Sequence, residues 1–414
     1  KAYIMIDDKI KTNVGQAIAS KLTNPMAEPY KGEDFEKVAI HYYKALNYIG
    51  LDQPEEALVE AKRINIKLTQ LNDKYSSNKN KYSKDAFAEI VQGILYEKVG
   101  DINNAFIAYR NAVDIYQSDS GQYLNVSIPL QLKKDVLRTA KELGFKYEYS
   151  TYKTKFEMED FQIPTKPESE AIVFWENGLG PVKDQVKITA SATDGAFLGT
   201  YDDDNGNIVI PIPAGVNLGI NAIAIPKYVK RAPYYQNASL VVDGQNEIPF
   251  ELSEDYYSIA KQCLRDRMMR EVIDICVRFG AKKTVSKGLS LLANHFLGST
   301  AETVTKWGAD AAGAITEKAD TRNWQSLPAT ISYIRVPLHE GENDFTIKKY
   351  SNGIASTDTI HLSYKNGIQI INYFDINEAV HFVSNRKYSE SVPKKIATES
   401  KKASKKNTML LTSN

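Results

Sequence analysis

Apolar residues recur at three- and four-residue steps through the first third of the chain. Phe35, Val38, Ala39, Tyr42, Tyr43, Leu46 and Ile49 share one face of a helix. Gly50 ends it, Leu51-Asp52-Gln53-Pro54 turns the chain, and Pro54 is pre-set for the first turn of a second helix. Glu55 and Glu56 sit where the helix dipole favours anions, and Ala57, Leu58, Ala61, Ile64 and Leu68 form the second apolar face. The same alternation predicts helices over 86–99 and 102–117, with Gly100-Asp101 as the turn between them.

The two hairpins repeat each other. Tyr48 aligns with Tyr96 and Ala57 with Ala105, both 48 positions apart. Gly93, Tyr96, Ala105, Tyr109 and Ala112 resemble the tetratricopeptide signature, whose period is ~34 residues. Small residues at Gly93 and Ala105 let paired helices approach, Tyr96 fills the groove between them, and Ala112 lets the next repeat stack. The excess length falls in Gln70–Asp85, a polar loop that can leave the core untouched. The first copy is degenerate: Ala45 replaces the glycine, and Ala61 and Ile64 replace the aromatic and the alanine. Two copies bury too little alone, since about three stacked units are needed. Residues 8–22 and Gln131–Leu143 predict capping helices. The second presents Leu132, Val136, Leu137, Ala140 and Leu143 on one face, with Gly144 as its stop.

Pro164-Thr165-Lys166-Pro167 marks a linker, after which the period changes from helical to strand-like. Short β-rich runs are predicted at Ala171–Trp175, Val186–Ala190, Ile208–Ile212, Ile220–Ile225, Ala238–Val242 and Glu247–Leu252. A helical stretch over 254–319 follows, made of Tyr256–Phe279 and the small-residue-rich Lys287–Gly313. Strands resume at Ile331–Leu338, Asp344–Tyr350, Thr359–Tyr364 and Gln369–Phe374. Turns fall at Glu340–Asn343, Ser351–Gly353 and Lys365–Gly367, and Asn366-Gly367 between alternating apolar runs predicts a hairpin. The expected fold is α+β multidomain. A tetratricopeptide-like helical domain occupies 1–150 and a linker 151–168. An antiparallel, sandwich-like β domain is assembled from 169–253 and 328–380, with a helical insertion over 254–327 and a basic tail over 381–414. The two β segments are expected to form one sheet system, because neither alone closes a core.

Composition narrows the function by exclusion. Hydrophobic residues at 43% and charged residues at 25% give a globular balance and exclude disorder. Lys+Arg of 52 against Asp+Glu of 51 leaves a net charge of +1, which argues against a general nucleic-acid binder. The charge is unevenly spread. Residues 386–414 carry eight Lys/Arg and two Glu, a tail of +6 on a body of −5. Such a tail either stays solvated or meets an anionic surface such as phospholipid headgroups. No run approaches the ~18 apolar residues of a membrane span. Cys263 and Cys276 are too few for a disulfide framework or a four-ligand zinc site, and read as buried small apolar residues. The chain begins Lys1-Ala2, and residues 1–33 hold no apolar signal core, so removal of an upstream segment is expected.

Catalytic motifs are sparse. The five histidines form no His-Glu-x-x-His, and neither a Gly-x-Ser-x-Gly elbow nor a P-loop occurs. Gly178-Leu179-Gly180 lacks the third glycine of a dinucleotide loop, and Pro181 removes a backbone donor. Tyr201–Asn207 clusters oxygen donors, but Pro213 stands at the twelfth position from Asp202, where a calcium loop needs an acid. His41 lies on an apolar helix face, where a packed, hydrogen-bonded imidazole is expected. No catalytic residue, metal or cofactor is expected. The remaining polar and aromatic candidates are Trp175, Glu176, Lys183, Asp320, Arg322, Trp324 and Arg335. They read in two ways. One is a buried Glu–Arg or Asp–Arg bridge pinning the insertion to the sheet. The other is an anion or sugar pocket with Trp175 and Trp324 as stacking planes.

The stretches Trp175–Lys183 and Asp320–Pro328, with His41–Tyr48 and Glu56–Arg63, are similar to a poorly characterised family of bacterial cell-envelope proteins. The resemblance spans roughly residues 25–375 and lapses in the lysine-rich loop at 70–85 and in the basic tail. It implies a tetratricopeptide-like front, a β-rich back, and a precursor with a signal peptide that is secreted or lipid-anchored. It also implies a place in the periplasm or at the outer membrane. The expected function is a non-enzymatic scaffold or adaptor within a larger envelope complex. Its repeats would hold a protein partner in a groove lined by Tyr42, Asn47, Tyr48, Gln92 and Tyr96, and its β region would dock to another component. A cell-wall or glycan-binding module is the alternative reading, and an envelope hydrolase is a third.

Overall fold

A computed structural model describes residues 29–73, 82–118, 122–193, 196–200, 207–211, 220–244, 247–268, 319–377 and 380–383. The expected helix at 8–22, positions 201–206 of the oxygen-donor cluster, the small-residue stretch Lys287–Gly313, Cys276 and the basic tail lie outside the described residues.

The chain opens with helical hairpins: α1 (Asp34–Gly50) with α2 (Pro54–Asp73), α3 (Ala86–Lys98) with α4 (Ile102–Tyr116), and α5 (Leu130–Glu142) with α6 (Lys146–Lys155). Local chemistry starts them. Glu36 reaches back to the Glu33 N–H at 3.0 Å. Asp85 accepts from Ala88 N–H at 2.8 Å, and Asp101 accepts from Asn104 N–H at 3.1 Å. Gly93 sets the spacing of the second hairpin. A Cβ there would stand 2.3 Å from Tyr109 Cε1, so the tyrosine ring lies directly on the glycine backbone. Helix α6 extends to Lys155, into the stretch expected to be linker. Its Tyr-, Thr- and Lys-rich sequence buries Tyr152 but shows little amphipathic period.

The remainder is mostly antiparallel sheet. A ribbon of β1 (Gln122–Tyr123) and β2 (Val126–Ser127) sits between α4 and α5. The later strands are β3 (Ser169–Asn177), β4 (Val182–Thr193), β5 (Ala196–Thr200), β6 (Asn207–Pro211), β7 (Ile220–Val229), β8 (Asn237–Val242), β9 (Glu247–Pro249) and β10 (Glu251–Asp255). A helical stretch over 256–268 follows. Past residue 319 come β11 (Thr330–Pro337), β12 (Glu342–Ser351), β13 (Ile354–Ser363), β14 (Gly367–Asn377) and β15 (Val380–Val383). A five-stranded sheet runs β10-β11-β3-β14-β15, and two four-stranded sheets run β13-β12-β8-β9 and β6-β5-β4-β7. Two of these sheets combine strands from both sides of the helical insertion, so the β segments interleave as expected.

The hairpin expected at Asn366-Gly367 does not form. β13 pairs with β12, whereas β14 crosses to the five-stranded sheet and runs parallel to β3, with Ile370 opposite Ile172. Gly367 supplies the turn, at φ +85°, but turn chemistry is local and strand pairing is not. β14 has apolar residues on both faces, and a central position buries both.

Alternation along β3 divides the interior in two. Ile172 and Phe174 join Ile331, Tyr333 and Ile370 in a core against α1, α3, α4 and α5. Ala171, Val173 and Trp175 join Ile334, Val336, Tyr373, Phe345 and Ile347 in a second core against the β13-β12-β8-β9 sheet. Helices therefore cover one face of the five-stranded sheet, and a second sheet packs on the other. Tyr228 of β7 meets Phe35 of α1 edge-on at 6.0 Å, which ties the third sheet to the same helical layer.

Candidate functional site

The helical face expected to hold a partner is covered by the chain's own sheet. Tyr42 is 3% exposed, with its ring 5.4 Å from Phe87 and 6.3 Å from Phe174 of β3. Gln92 is buried, and its amide donates to Ala88 O at 3.3 Å. Tyr48 and Tyr96 are half-buried against the same core, with the Lys62 ammonium 4.7 Å above the Tyr96 ring. Asn47 is exposed. The groove reading is thus corrected for Tyr42 and Gln92, which no partner can reach. The physical reason is the shortage of buried surface in a short helical array. Here a sheet, rather than further repeats, makes up that shortage.

The seven-residue cluster is also divided. Trp175 and Glu176 are neighbours on a strand and point to opposite faces. Glu176 enters the helical interface, where Tyr43 donates to it at 3.0 Å and Tyr42 and Asn372 approach the same carboxylate. Burial with no facing cation pushes its pKa up to about 7. Trp324 lies on this side too, with its ring 5.7 Å from Tyr43 and its backbone N–H donating to Glu36 at 2.6 Å. Trp175 belongs to the opposite core, so the two tryptophans do not form one pocket.

The cations pair elsewhere. Lys183 Nζ lies 2.8 Å from Glu33, which Arg267 also contacts. Burial alone would raise Glu33, but the two cations outweigh it and hold the pKa at about 2. Arg335 is the buried bridge. Its guanidinium meets Glu97 of α3 at 2.7 Å, Glu170 at 2.9 Å and Asp135 of α5 at 3.2 Å. Arg138 shares Glu97 at 2.6 Å and Asp135 at 3.1 Å. Burial again opposes ionisation of Glu97, and the two arginines overcome it and hold the pKa at about 2. Arg322 pairs with its near neighbour Asp320 at 2.7 Å and lies 5.4 Å over the Tyr30 ring. The buried bridge that forms thus joins Arg335 to the N-terminal helices rather than pinning the insertion to the sheet, and involves neither Glu176 nor Arg322. Glu33, Glu97, Asp135 and Arg138 were missed as partners. Their signal was a charge inside or flanking an otherwise apolar helical run, as at Glu97.

The stretches Trp175–Lys183 and Asp320–Pro328 meet through backbone and Asn323 side-chain bonds. Gly180 N–H donates to Leu327 O at 2.5 Å. Asn323 donates to Pro181 O at 2.7 Å and accepts from Lys183 N–H at 3.2 Å. Arg231 Nε donates to Gly180 O at 2.6 Å. Gly178 takes φ +68°, and a Cβ there would press against Pro233 at 3.0 Å. Beside this seam lies a cavity of about 400 Å³, lined among others by Trp175, Asn177, Phe250, Tyr257, Thr330 and Ser332. Asp255 also lines it, but its Oδ1 accepts from Tyr257 N–H at 2.9 Å and Ser258 N–H at 3.1 Å, capping the helical stretch 256–268.

Among the described residues, no three His, Cys, Asp or Glu side chains gather closely enough to hold a metal ion. His41 Nδ1 lies 2.8 Å from Glu60, and burial lowers its pKa. Cys263 is buried and its thiol is pushed up, first by burial. No helix among the described residues is long and apolar enough to cross a membrane. Comparison with protein-family models, curated proteins and solved structures finds no match to this chain.

Proposed function

We propose that this protein is a non-enzymatic scaffold of the bacterial cell envelope, in which tetratricopeptide-like hairpins brace a sandwich-like β region that meets the partner. The envelope setting rests on the resemblance of Trp175–Lys183 and Asp320–Pro328. One observation carries the bracing role: Arg335 of β11 is buried between Glu97 of α3 and Asp135 of α5. A buried ionic cluster of this kind adds little net stability, and its best-attested use is to fix one arrangement. That suits a part that holds geometry. With the concave helical face occupied, the accessible partner surface is β13. It is the edge strand of its sheet among the described residues, and Ile354 at its start is 70% exposed.

Capture of partners from the native envelope with the full chain tests this reading. Retained proteins should be lost with Ile354→Lys and kept with Asn47→Ala. Loss with Asn47→Ala alone would return the contact to the helices, and turnover of cell-wall material by the purified chain would refute a scaffold. The cavity beside Trp175 favours a second reading, a glycan-binding module, with Trp175 acting without Trp324.

A further inference from the structure

A cleft of about 590 Å³ opens between α2 and α4 beside the start of α3, and none of its described lining residues belongs to the three large sheets. Its size falls within the ~300–1,000 Å³ of small-ligand pockets. Glu89 of α3 lines it and is 8% exposed. Two carboxamides from different helices hold the Glu89 carboxylate: Asn65 of α2 donates to Oε1 at 2.7 Å, and Asn111 of α4 donates to Oε2 at 3.4 Å. A carboxylate only accepts, so it is the amide nitrogens that face Glu89, which leaves both amide oxygens for other donors. Among the described residues neither oxygen accepts a hydrogen bond, and neither is sealed from solvent. An amide oxygen lies about 2.2 Å from its own nitrogen. Asn65 Oδ1 therefore stands no farther than about 5 Å from Glu89 Oε1, and Asn111 Oδ1 no farther than about 6 Å from Oε2. Oxygens bonded to one ammonium stand about 4–5 Å apart, from N–H···O lengths of ~2.9 Å at tetrahedral angles.

The charges favour a cation. Among the described residues no cation forms an ion pair with Glu89; Lys84 lines the cleft but is exposed and pairs with neither Glu89 nor Asp114. Burial raises the Glu89 carboxyl pKa, which a facing cation would lower. A second carboxylate follows on α4: Asp114 lies three positions after Asn111 on the same helix face, about one turn (~5.4 Å) along. Its side chain is 62% exposed, and Lys155 comes no nearer than 4.0 Å. Ile115 and the Tyr123 ring, whose hydroxyl is fixed on Lys84 O at 2.5 Å, add surface against which methylenes can pack. A divalent metal is a poorer fit, because no three His, Cys, Asp or Glu side chains gather among the described residues. We propose that this cleft binds a short linear diamine, with one ammonium on Glu89, Asn65 and Asn111 and the other on Asp114. The inference is independent of both the scaffold and the glycan readings.

Calorimetric titration of the full chain at low salt tests it, with 1,4-diaminobutane, 1-aminobutane and magnesium chloride as probes. Diaminobutane should bind saturably, one per chain, and about fivefold more tightly than aminobutane, the worth of one exposed ion pair. Glu89→Gln removes the buried charge and should weaken diaminobutane at least tenfold, the scale of a charge-assisted hydrogen bond. Asp114→Asn should bring diaminobutane down to the affinity of aminobutane. Thr69→Trp fills the cleft from an exposed lining position and should abolish binding with the melting temperature unchanged. If Glu89→Gln does not fold, Asp114→Asn and Thr69→Trp decide the matter. No saturable binding of diaminobutane would overturn the proposal. Equal affinity for the two amines would overturn the two-ended assignment. Displacement of diaminobutane by equimolar magnesium would make the cleft a metal site, and binding unchanged in the variants would place the amine elsewhere; each overturns the proposal.

Discussion

Glu176 is a carboxyl group set among tyrosines at the joint between helices and sheet. It is 1% exposed, and burial moves its pKa from an ordinary 4.5 to about 7. The unfolded chain titrates at the ordinary value, so the folded protein holds this proton more tightly. Stability that is complete below pH ~4.5 must therefore be lost as pH rises toward 7. Each tenfold change in acidity is worth about 1.4 kcal/mol, which puts the total near 3 kcal/mol. Glu176→Gln keeps an acceptor for the Tyr43 hydroxyl and never ionises. Urea unfolding followed by circular dichroism, for both proteins at pH 5 and pH 8, isolates the effect. The two stabilities should agree within about 1 kcal/mol at pH 5, and the variant should be the more stable by up to about 3 kcal/mol at pH 8. Parallel curves, with the same gap at both pH values, would show that water or a cation reaches the carboxylate and would refute the argument from burial.

Three further outcomes are expected. Gly93→Ala places a Cβ 2.3 Å from the buried Tyr109 ring, an overpacking that should cost about 3 kcal/mol and show as a lowered melting temperature; an unchanged value would mean that the ring swings away freely. Arg335→Met leaves Glu97 and Asp135 to share Arg138 alone and takes the cation from Glu170, and denaturant titration should register a loss of about 3 kcal/mol. On the acid side the sign reverses. Glu33 is held at about 2 by Lys183 and Arg267, so stability present above pH ~4.5 is lost as pH falls toward 2. Acid unfolding of Glu33→Gln should fall less steeply across that window than the parent.

The helices were legible because their causes are local. A 3.6-residue period, Asp85 and Asp101 as caps, and Gly93 facing Tyr109 all act within a few turns of chain. Most strands were legible as short β-branched runs between turn residues, and Ser351–Gly353 gave a true hairpin, with Asn352 at φ +50° and Gly353 at φ +81°. Partner choice was not legible. Asn366-Gly367 carries the same turn chemistry, yet β14 pairs with β3, which lies far back in the sequence. β5, of five residues, and the edge strand β15, of four, are too short to stand out. At the site, Trp175 and Glu176 could have been separated from sequence, since adjacent strand residues never share a face. The groove was misread for a different reason. Periodicity shows which face of α1 and α3 is apolar, but it does not show that the cover is Phe174 and Tyr333 of the same chain.

The joint between the layers combines two kinds of buried acid, and together they bear on where a partner can bind. Glu33 and Glu97 face cations and are held low, so they weaken the joint as pH falls. Glu176 faces no cation, and burial likewise raises Asp85 and Glu254, so these weaken it as pH rises. Neutral bonds cross the same joint, as in Tyr116 donating to Ser253 O at 2.7 Å. A segment entering the concave helical face would have to displace the sheet, leaving Arg335 and Lys183 without Glu97 and Glu33. Stranding one member of a buried ion pair costs about 3–5 kcal/mol, before any apolar surface is counted. Two such ruptures together approach the whole stability of a domain, ~5–15 kcal/mol. Within the pH window that keeps both kinds of acid in their folded states, the helical face stays covered by the sheet, and a partner that does not open this joint has to bind elsewhere on the molecule.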